Sequence, residues 1–141
     1  MNHGVGAILK SLPGISCREE RLVAEEHTAQ HLRERGLMVV STPSLLLFVE
    51  IVARKCLDSR LPEGWVSVGV EALIKHLAPA MVGSKLAIVA ELVSARGRRA
   101  VFLGRVLRND GVLVSEVYHE RRVVRLEDLI ERAGAVVRES K

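Results

Sequence analysis

An apolar helical segment in the first half of the chain constrains its fold more than any other feature. The residues TPSLLLFVEIVARKCLD predict a helix over about 43–57. Thr42 supplies a hydroxyl that can cap the first free N–H groups, and Pro43 suits the first helical position because it has no N–H to lose. Over 45–52 every residue except Glu50 is apolar. Such a helix is expected to be enclosed by other structure.

Glu50 is the first functional candidate. An isolated buried carboxylate costs several kcal/mol or more, so this side chain must be paired, protonated or close to water. A plainer interpretation is equally open. Glu50, Arg54 and Asp58 follow i, i+4, i+8 spacing, which places them along one stripe of the helix where each pair adds about 0.2–0.5 kcal/mol.

Length and composition indicate one ordinary domain over residues 1–141, with a lead-in at 1–14 and a C-terminal helix at 125–138. The chain is 48% hydrophobic. It has no apolar run near the roughly 20 residues that would span a bilayer, and no charged-then-apolar leader pattern. We expect a soluble cytoplasmic protein that does not bind membranes.

Two cysteines, Cys17 and Cys56, lie outside any CxxC pattern and away from histidine at ligand spacing. We therefore predict reduced thiols rather than a disulfide, and neither a metal site nor a cofactor.

The formal net charge of +4 comes with arginine clusters that indicate either a charged surface or a site for ligand phosphates. Aromatic residues make up only 3% of the chain, too few for the stacking platforms of single-stranded nucleic-acid binding, so no nucleic-acid partner is expected. The clustered arginines are Arg96, Arg98, Arg99, Arg121, Arg122 and Arg125.

Beyond the helix the apolar period changes to two, which is typical of strands. Four strands are predicted, at 65–76, 85–94, 99–107 and 112–124, joined as an antiparallel meander. The segment 18–27 fits either a strand or a short helix, and 127–137 predicts an amphipathic helix that buries Leu126, Leu129, Ile130 and Ala133. The expected class is α+β, with the helix laid on the sheet. Uncovered strand edges favour a homodimer, and the sequence leaves open whether dimers pair further.

His76 ends the first predicted strand, on the face that strict alternation assigns to Val66, Val68, Val70, Ala72 and Ile74. A lone histidine on an apolar face is usually structural. Together with Thr42 and Glu50, however, it forms a hydroxyl, carboxylate and imidazole set that can support acyl transfer or thioester hydrolysis. Gly69 interrupts the same strand, and a mid-strand glycine often marks the close approach of a ligand.

Several segments resemble the hot-dog-fold thioesterases of the fluoroacetyl-CoA thioesterase type. They are VVSTPSLLLFVEIV, VSVGVEALIKHLAPAMVGSKL, ARGRRAVFLG and SEVYHERRVV, within about residues 28–130. The resemblance implies that Thr42, Glu50 and His76 are catalytic. It also places Gly69 against the substrate and Arg121, the arginine of the HER motif, beside the acyl group.

The resemblance further implies a hot-dog fold, in which an antiparallel sheet wraps around a long central helix and acyl-CoA lies in a cleft between the subunits of a dimer. The segment HLRERGLMVV lacks the aromatic residues of the fluoroacetyl-specific lid, so a different short- or medium-chain acyl group is expected. Two alternatives remain: a non-catalytic acyl-CoA-binding or structural hot-dog protein and, ranked lower, a hot-dog hydratase or dehydratase.

Overall fold

The computed structural model describes residues 4–134, which form a five-stranded antiparallel sheet curved around one long helix. In chain order the elements are α1 (Val5–Ser11), β1 (Ser16–Leu22), a 3-10 turn (Glu25–His27), α2 (Gln30–Arg33), α3 (Thr42–Asp58), β2 (Trp65–His76), β3 (Lys85–Arg96), β4 (Arg99–Arg108), β5 (Leu113–Arg125) and α4 (Leu126–Arg132). None of these helices is long and apolar enough to cross a bilayer.

The central helix α3 matches the predicted segment, but its cap differs. Ser41, not Thr42, is the N-cap, and its hydroxyl accepts a hydrogen bond from the Ser44 amide at 3.2 Å. Thr42 and Pro43 occupy the first helical turn. Because Ser41 satisfies the free amide, the Thr42 hydroxyl is available for another partner.

The strand order is β1-β3-β4-β5-β2, so the predicted four-strand meander is wrong in one connection. Strands β3, β4 and β5 do form a meander, but β2 pairs with β5, not with β3. The connection after β2 contains Pro79 and pairs with the segment that precedes α3. The Ala80 carbonyl accepts a hydrogen bond from the Val40 amide at 2.8 Å. It therefore leads the chain past the start of α3 to the far side of the sheet.

A β-bulge in β2 overturns the strict alternation expected from the sequence. The pairing with β5 shifts between Gly69 and Glu71. Before the bulge, Ser67 points inward and is buried, whereas after it Ile74 packs against the core. An extra residue in a strand reverses which side chains face the core. The inward face therefore does not consist of the valine series that the sequence suggested.

The core lies between one side of α3 and the sheet, which buries the helix residues Leu45, Phe48, Val49, Val52, Ala53, Cys56 and Leu57. Gly104 allows the closest approach, since a Cβ there would overlap the Val49 side chain. The opposite side of α3 is open, and Leu47 is 49% exposed. The predicted enclosure of the helix is thus only partial within one chain.

A disulfide joins Cys17 of β1 to Cys56 of α3, so the prediction of reduced thiols is wrong. The two residues are 39 positions apart in sequence, but their Cα atoms lie 5.9 Å apart because β1 packs against the helix. Only the tertiary fold brings the two sulfur atoms together.

The C-terminal helix α4 is shorter and more exposed than predicted. It covers Leu126–Arg132 and buries none of its residues. Leu129 and Ile130 are half-buried, while Leu126 and Ala133 are exposed. The remainder of the predicted helix, beyond residue 134, lies outside the described residues.

Candidate active site

Thr42 and His76 form a hydrogen-bonded pair at one end of α3. The Thr42 Oγ1 and His76 Nδ1 atoms are 2.8 Å apart, although the residues are 34 positions apart in sequence. Thr42 comes from the first turn of the helix and His76 from the last position of β2. Both side chains are exposed in a single chain, so a ligand can reach them.

This pair opens onto a cleft of about 550 Å³ that is mostly apolar. The lining includes Leu32 of α2, Val39 and Val40 before the helix, and Leu77 and Pro79 after β2. Ligand sites of this kind combine an apolar wall with a few placed polar groups. The cleft thus offers an apolar binding surface beside a hydroxyl and an imidazole.

Glu50 lies two turns further along α3, beside a different set of groups. Its Oε2 atom is 3.6 Å from Arg121 Nη1, and its side chain is 43% exposed. A Cβ at Gly69 would lie 3.0 Å from the same oxygen. The carboxylate is therefore paired with Arg121, not with Arg54 as in the solvated stripe considered from the sequence.

Arg121 is 3% exposed and is held on several sides. Its Nε donates to Ser67 Oγ at 2.8 Å, and its Nη2 donates to the Ser67 carbonyl at 2.9 Å. Ser67 Oγ in turn donates to Asp58 Oδ1 at 2.5 Å. Burial lowers the pKa of Arg121, and the charges of Asp58 and Glu50 oppose that lowering. A guanidinium remains charged in this setting.

His119, like Ser67 and Glu50, contacts Arg121. Its Nε2 lies 3.0 Å from Arg121 Nη1, and its Nδ1 lies 2.9 Å from the Glu71 carbonyl oxygen. Burial, reinforced by the charge of Arg121, lowers the pKa of His119 below the ordinary histidine value. The ring is therefore neutral at neutral pH.

The two groups of candidate residues do not meet within one chain. Eight residues separate Thr42 from Glu50, which corresponds to about 12 Å along a helix axis. In the part of the chain that the structure describes, no hydrogen bond or ion pair joins Glu50 to Thr42 or to His76. A single subunit thus presents two separate groups of candidate residues, which we call half-sites: Thr42 with His76, and Glu50 with Arg121.

The functional residues predicted from the sequence did not include Ser67, Asp58 or His119, which surround Arg121 directly or through Ser67. A signal for His119 was present, because residues 119 and 121 of the HER motif alternate onto the same face of β5. Strict alternation puts Ser67 on the face opposite Val66 and Val68, but the bulge disrupts that alternation. Within residues 4–134, no cluster of three His, Cys, Asp or Glu residues is placed to hold a metal ion.

A comparison with protein-family models identifies the family of this chain. The family model described as FlK, fluoroacetyl-CoA-specific thioesterase, matches residues 23–127, which include both half-sites. The chain belongs to this family. The expected enzyme class, a thioester hydrolase, is thereby confirmed. No curated protein matches the chain by sequence.

Solved structures agree on the fold. A hot-dog-like protein from Thermanaerovibrio acidaminovorans is 29% identical, with 95% of this chain and 96% of that chain covered and a TM-score of 0.82. The fluoroacetyl-CoA thioesterase FlK is 22% identical over 86% of this chain and 94% of its own, with a TM-score of 0.77. A thioesterase superfamily member from Thermus thermophilus is also 22% identical, over 86% and 92%, with a TM-score of 0.75. The predicted hot-dog fold is confirmed.

Proposed function

We propose that this FlK-family member hydrolyses the thioester of a short- or medium-chain acyl-CoA, with Thr42, Glu50 and His76 as catalytic residues. The observation that carries the proposal is the hydrogen bond between Thr42 and His76 at the mouth of the apolar cleft. A hydroxyl paired with an imidazole beside an apolar wall suits a reaction that needs proton transfer next to a bound acyl group.

The proposed reaction adds water to the thioester carbonyl and releases a carboxylic acid and the CoA thiol. In one version Glu50 takes a proton from the attacking water. In the other it attacks the carbonyl itself, and water then hydrolyses the resulting anhydride to release the acid and free Glu50. In both, Thr42 holds the geometry and His76 delivers a proton to the departing sulfur. Amide groups at the start of α3 and in β2 near Gly69 stabilise the oxyanion, a contribution of about 2.7–4 kcal/mol per donor. Gly69 and Arg121 contact the substrate in this scheme.

The separation of the two half-sites supports a homodimer in which each active site uses both subunits. Strand β2 is an edge strand, and its Val70 and Leu73 are 50% and 64% exposed. The other edge strand, β1, reads SCREERL, and charged residues protect an edge from pairing. We therefore assign the dimer contact to β2, with acyl-CoA between the subunits.

The substrate proposal follows from the cleft. Leu32 and Val39 line the cleft, and neither α2 nor the loop after it contains a Phe, Tyr or Trp. A cleft of about 550 Å³ with a mostly apolar lining favours an acyl group larger than fluoroacetyl.

The test is a panel of acyl-CoAs of increasing chain length, with free thiol release followed over time. We expect the best turnover on a short- or medium-chain substrate, and a loss of at least about a hundredfold in Glu50→Gln and in His76→Ala, since acid–base groups commonly contribute 10²–10⁴. Arg54→Gln, one turn along α3, is the matched control and should retain activity. Full kcat in either catalytic variant would refute the assignment, and binding without turnover would favour a non-catalytic acyl-CoA-binding protein.

A further inference from the structure

The ring of His119 lies between two groups whose hydrogen-bonding roles are fixed. The Glu71 carbonyl, 2.9 Å from Nδ1, can only accept, so Nδ1 carries the proton. The Arg121 guanidinium, 3.0 Å from Nε2, can only donate, so Nε2 is bare. Both contacts are satisfied together only by the neutral ring with its proton on Nδ1.

Arg121 is consequently fixed from two directions. Ser67 accepts from its Nε and Nη2 through the side chain and the main chain, and His119 accepts from its Nη1. The same Nη1 atom lies 3.6 Å from Glu50 Oε2. Among the described residues, His119 Nε2 is the acceptor at hydrogen-bond distance from Nη1, so loss of the ring would leave this buried N–H group with only the half-exposed Glu50 carboxylate as a partner.

We infer that His119 is a positioning residue of the thioesterase site: its neutral ring aims Arg121 Nη1 so that the Glu50 carboxylate is held in its reactive orientation. The inference rests on the proposed function. His119 does not exchange a proton with the substrate. It acts through Arg121, whose guanidinium also donates two hydrogen bonds to Ser67.

Protonation of the ring would abolish this arrangement, because an N–H on Nε2 would face the N–H of Arg121. The charged groups that act on the ring are Arg121 of β5, which opposes its protonation, and Glu50 of α3, which favours it. Burial is the largest influence and keeps the pKa of His119 below its ordinary value. The ring therefore stays in the form that accepts from Arg121.

The experiment compares two substitutions at His119. His119→Leu removes both ring contacts and should lower kcat about 10- to 100-fold with little change in KM, since a misaligned catalytic group costs up to about 10² in rate. His119→Gln keeps a donor and an acceptor and should retain most of kcat. His27→Gln is the matched control, because that ring accepts from the Ala24 amide and packs against Phe48, away from Arg121.

A double-mutant cycle shows whether His119 acts through Arg121. In an Arg121→Gln background, His119→Leu should cause no further loss of kcat, since residues acting through one another are non-additive. Thermal melting of each variant identifies any loss of fold, and His119→Phe replaces His119→Leu if the latter does not fold. Ring ¹⁵N shifts of the wild-type protein should show a protonated Nδ1.

Three results would overturn the inference: unchanged kcat in folded His119→Leu, equal losses in His119→Leu and His119→Gln, or additive losses in the cycle. Each is separable from failure of the proposed function, because Glu50→Gln is measured alongside. Hydrolysis that depends on Glu50 but not on His119 refutes only the positioning role. A wild-type protein inactive on every acyl-CoA refutes both.

Discussion

The carboxylate of Glu50 lies against the bare main chain of Gly69. A Cβ added at Gly69 would lie 3.0 Å from Glu50 Oε2 and 3.2 Å from His119 Cε1. Both distances are tighter than ordinary contacts, so a neighbouring side chain must move. Glycine at this position keeps room for the carboxylate beside the β2 bulge.

Gly69→Ala should therefore lower acyl-CoA hydrolysis about tenfold or more by displacing Glu50, with little loss of stability because the residue is exposed. Steady-state kinetics and a thermal melt measure the two effects separately. Gly6→Ala in α1 is the control, since its Cβ would meet nothing within 4 Å. Equal activity in Gly69→Ala and Gly6→Ala would show that the space beside Glu50 is not needed.

Two inactive variants should restore activity when they are combined in one dimer. If Glu50 of one subunit works with Thr42 and His76 of the other, a mixed dimer of Glu50→Gln and His76→Ala retains one complete site. We expect the co-expressed pair to show activity well above that of either variant alone. Activity that remains at the level of the single variants would place the whole site within one subunit.

Gly104→Ala should destabilise the fold without a direct effect on the site. A Cβ at Gly104 would overlap Val49 Cγ1 in the core, and overpacking of this kind costs about 1–3 kcal/mol. Chemical denaturation measures the loss. Adding Val49→Ala frees the space, so the double variant should be less destabilised than the sum of the two single changes. A strictly additive pair would contradict the packing argument.

Reduction of the disulfide between Cys17 and Cys56 should lower stability. Closing a loop of 39 residues stabilises a protein by about 4 kcal/mol in the chain-entropy model. Denaturation with and without reductant measures the difference, and Cys17→Ser should behave like the reduced protein under both conditions. Identical unfolding curves with and without reductant, with free thiols absent from the oxidised sample, would disprove the stabilising role.

Acid should weaken the fold partly through Glu120. Arg99 donates two hydrogen bonds to this carboxylate, each of 2.7 Å, and they hold the pKa of Glu120 below its ordinary value. The native state then binds the proton less readily than the unfolded chain. The stabilisation is present above the ordinary carboxyl pKa of about 4.3 and is lost as the pH falls through the lowered value.

Glu120→Gln should accordingly flatten the dependence of the free energy of unfolding on pH in that acid range. Glu127→Gln is the control, since its partner Arg125 lies 3.4 Å away on an exposed surface. If the free energy of unfolding depends on pH in the same way in both variants, the role of Glu120 is rejected.

The long apolar helix was predictable because a continuous run of apolar residues and a proline at the helix start, Pro43, are both properties of neighbouring residues. The same holds for the extents of β2 to β5, whose period of two depends on neighbouring residues. Family resemblance supplied the hot-dog fold and the enzyme class, both confirmed. The assignment of Thr42, Glu50 and His76 as catalytic stays a prediction.

Three features escaped the sequence because each depends on residues far apart in the chain. The pairing of β2 with β5 follows from where the connection after His76 binds. The disulfide forms because β1 packs on α3, although spacing gave no sign of it. The bulge after Gly69 changes which side chains of β2 face inward. Ser67 faces inward and accepts a hydrogen bond from Arg121.

Local pattern thus determined which segments of this chain are helices and strands, since propensity and periodicity are properties of neighbouring residues. The tertiary structure alone decided the partners of each functional side chain. Thr42 meets His76, while Glu50 meets Arg121, because strand register and packing around α3 select contacts across long sequence separations. No periodicity in the sequence encodes that choice.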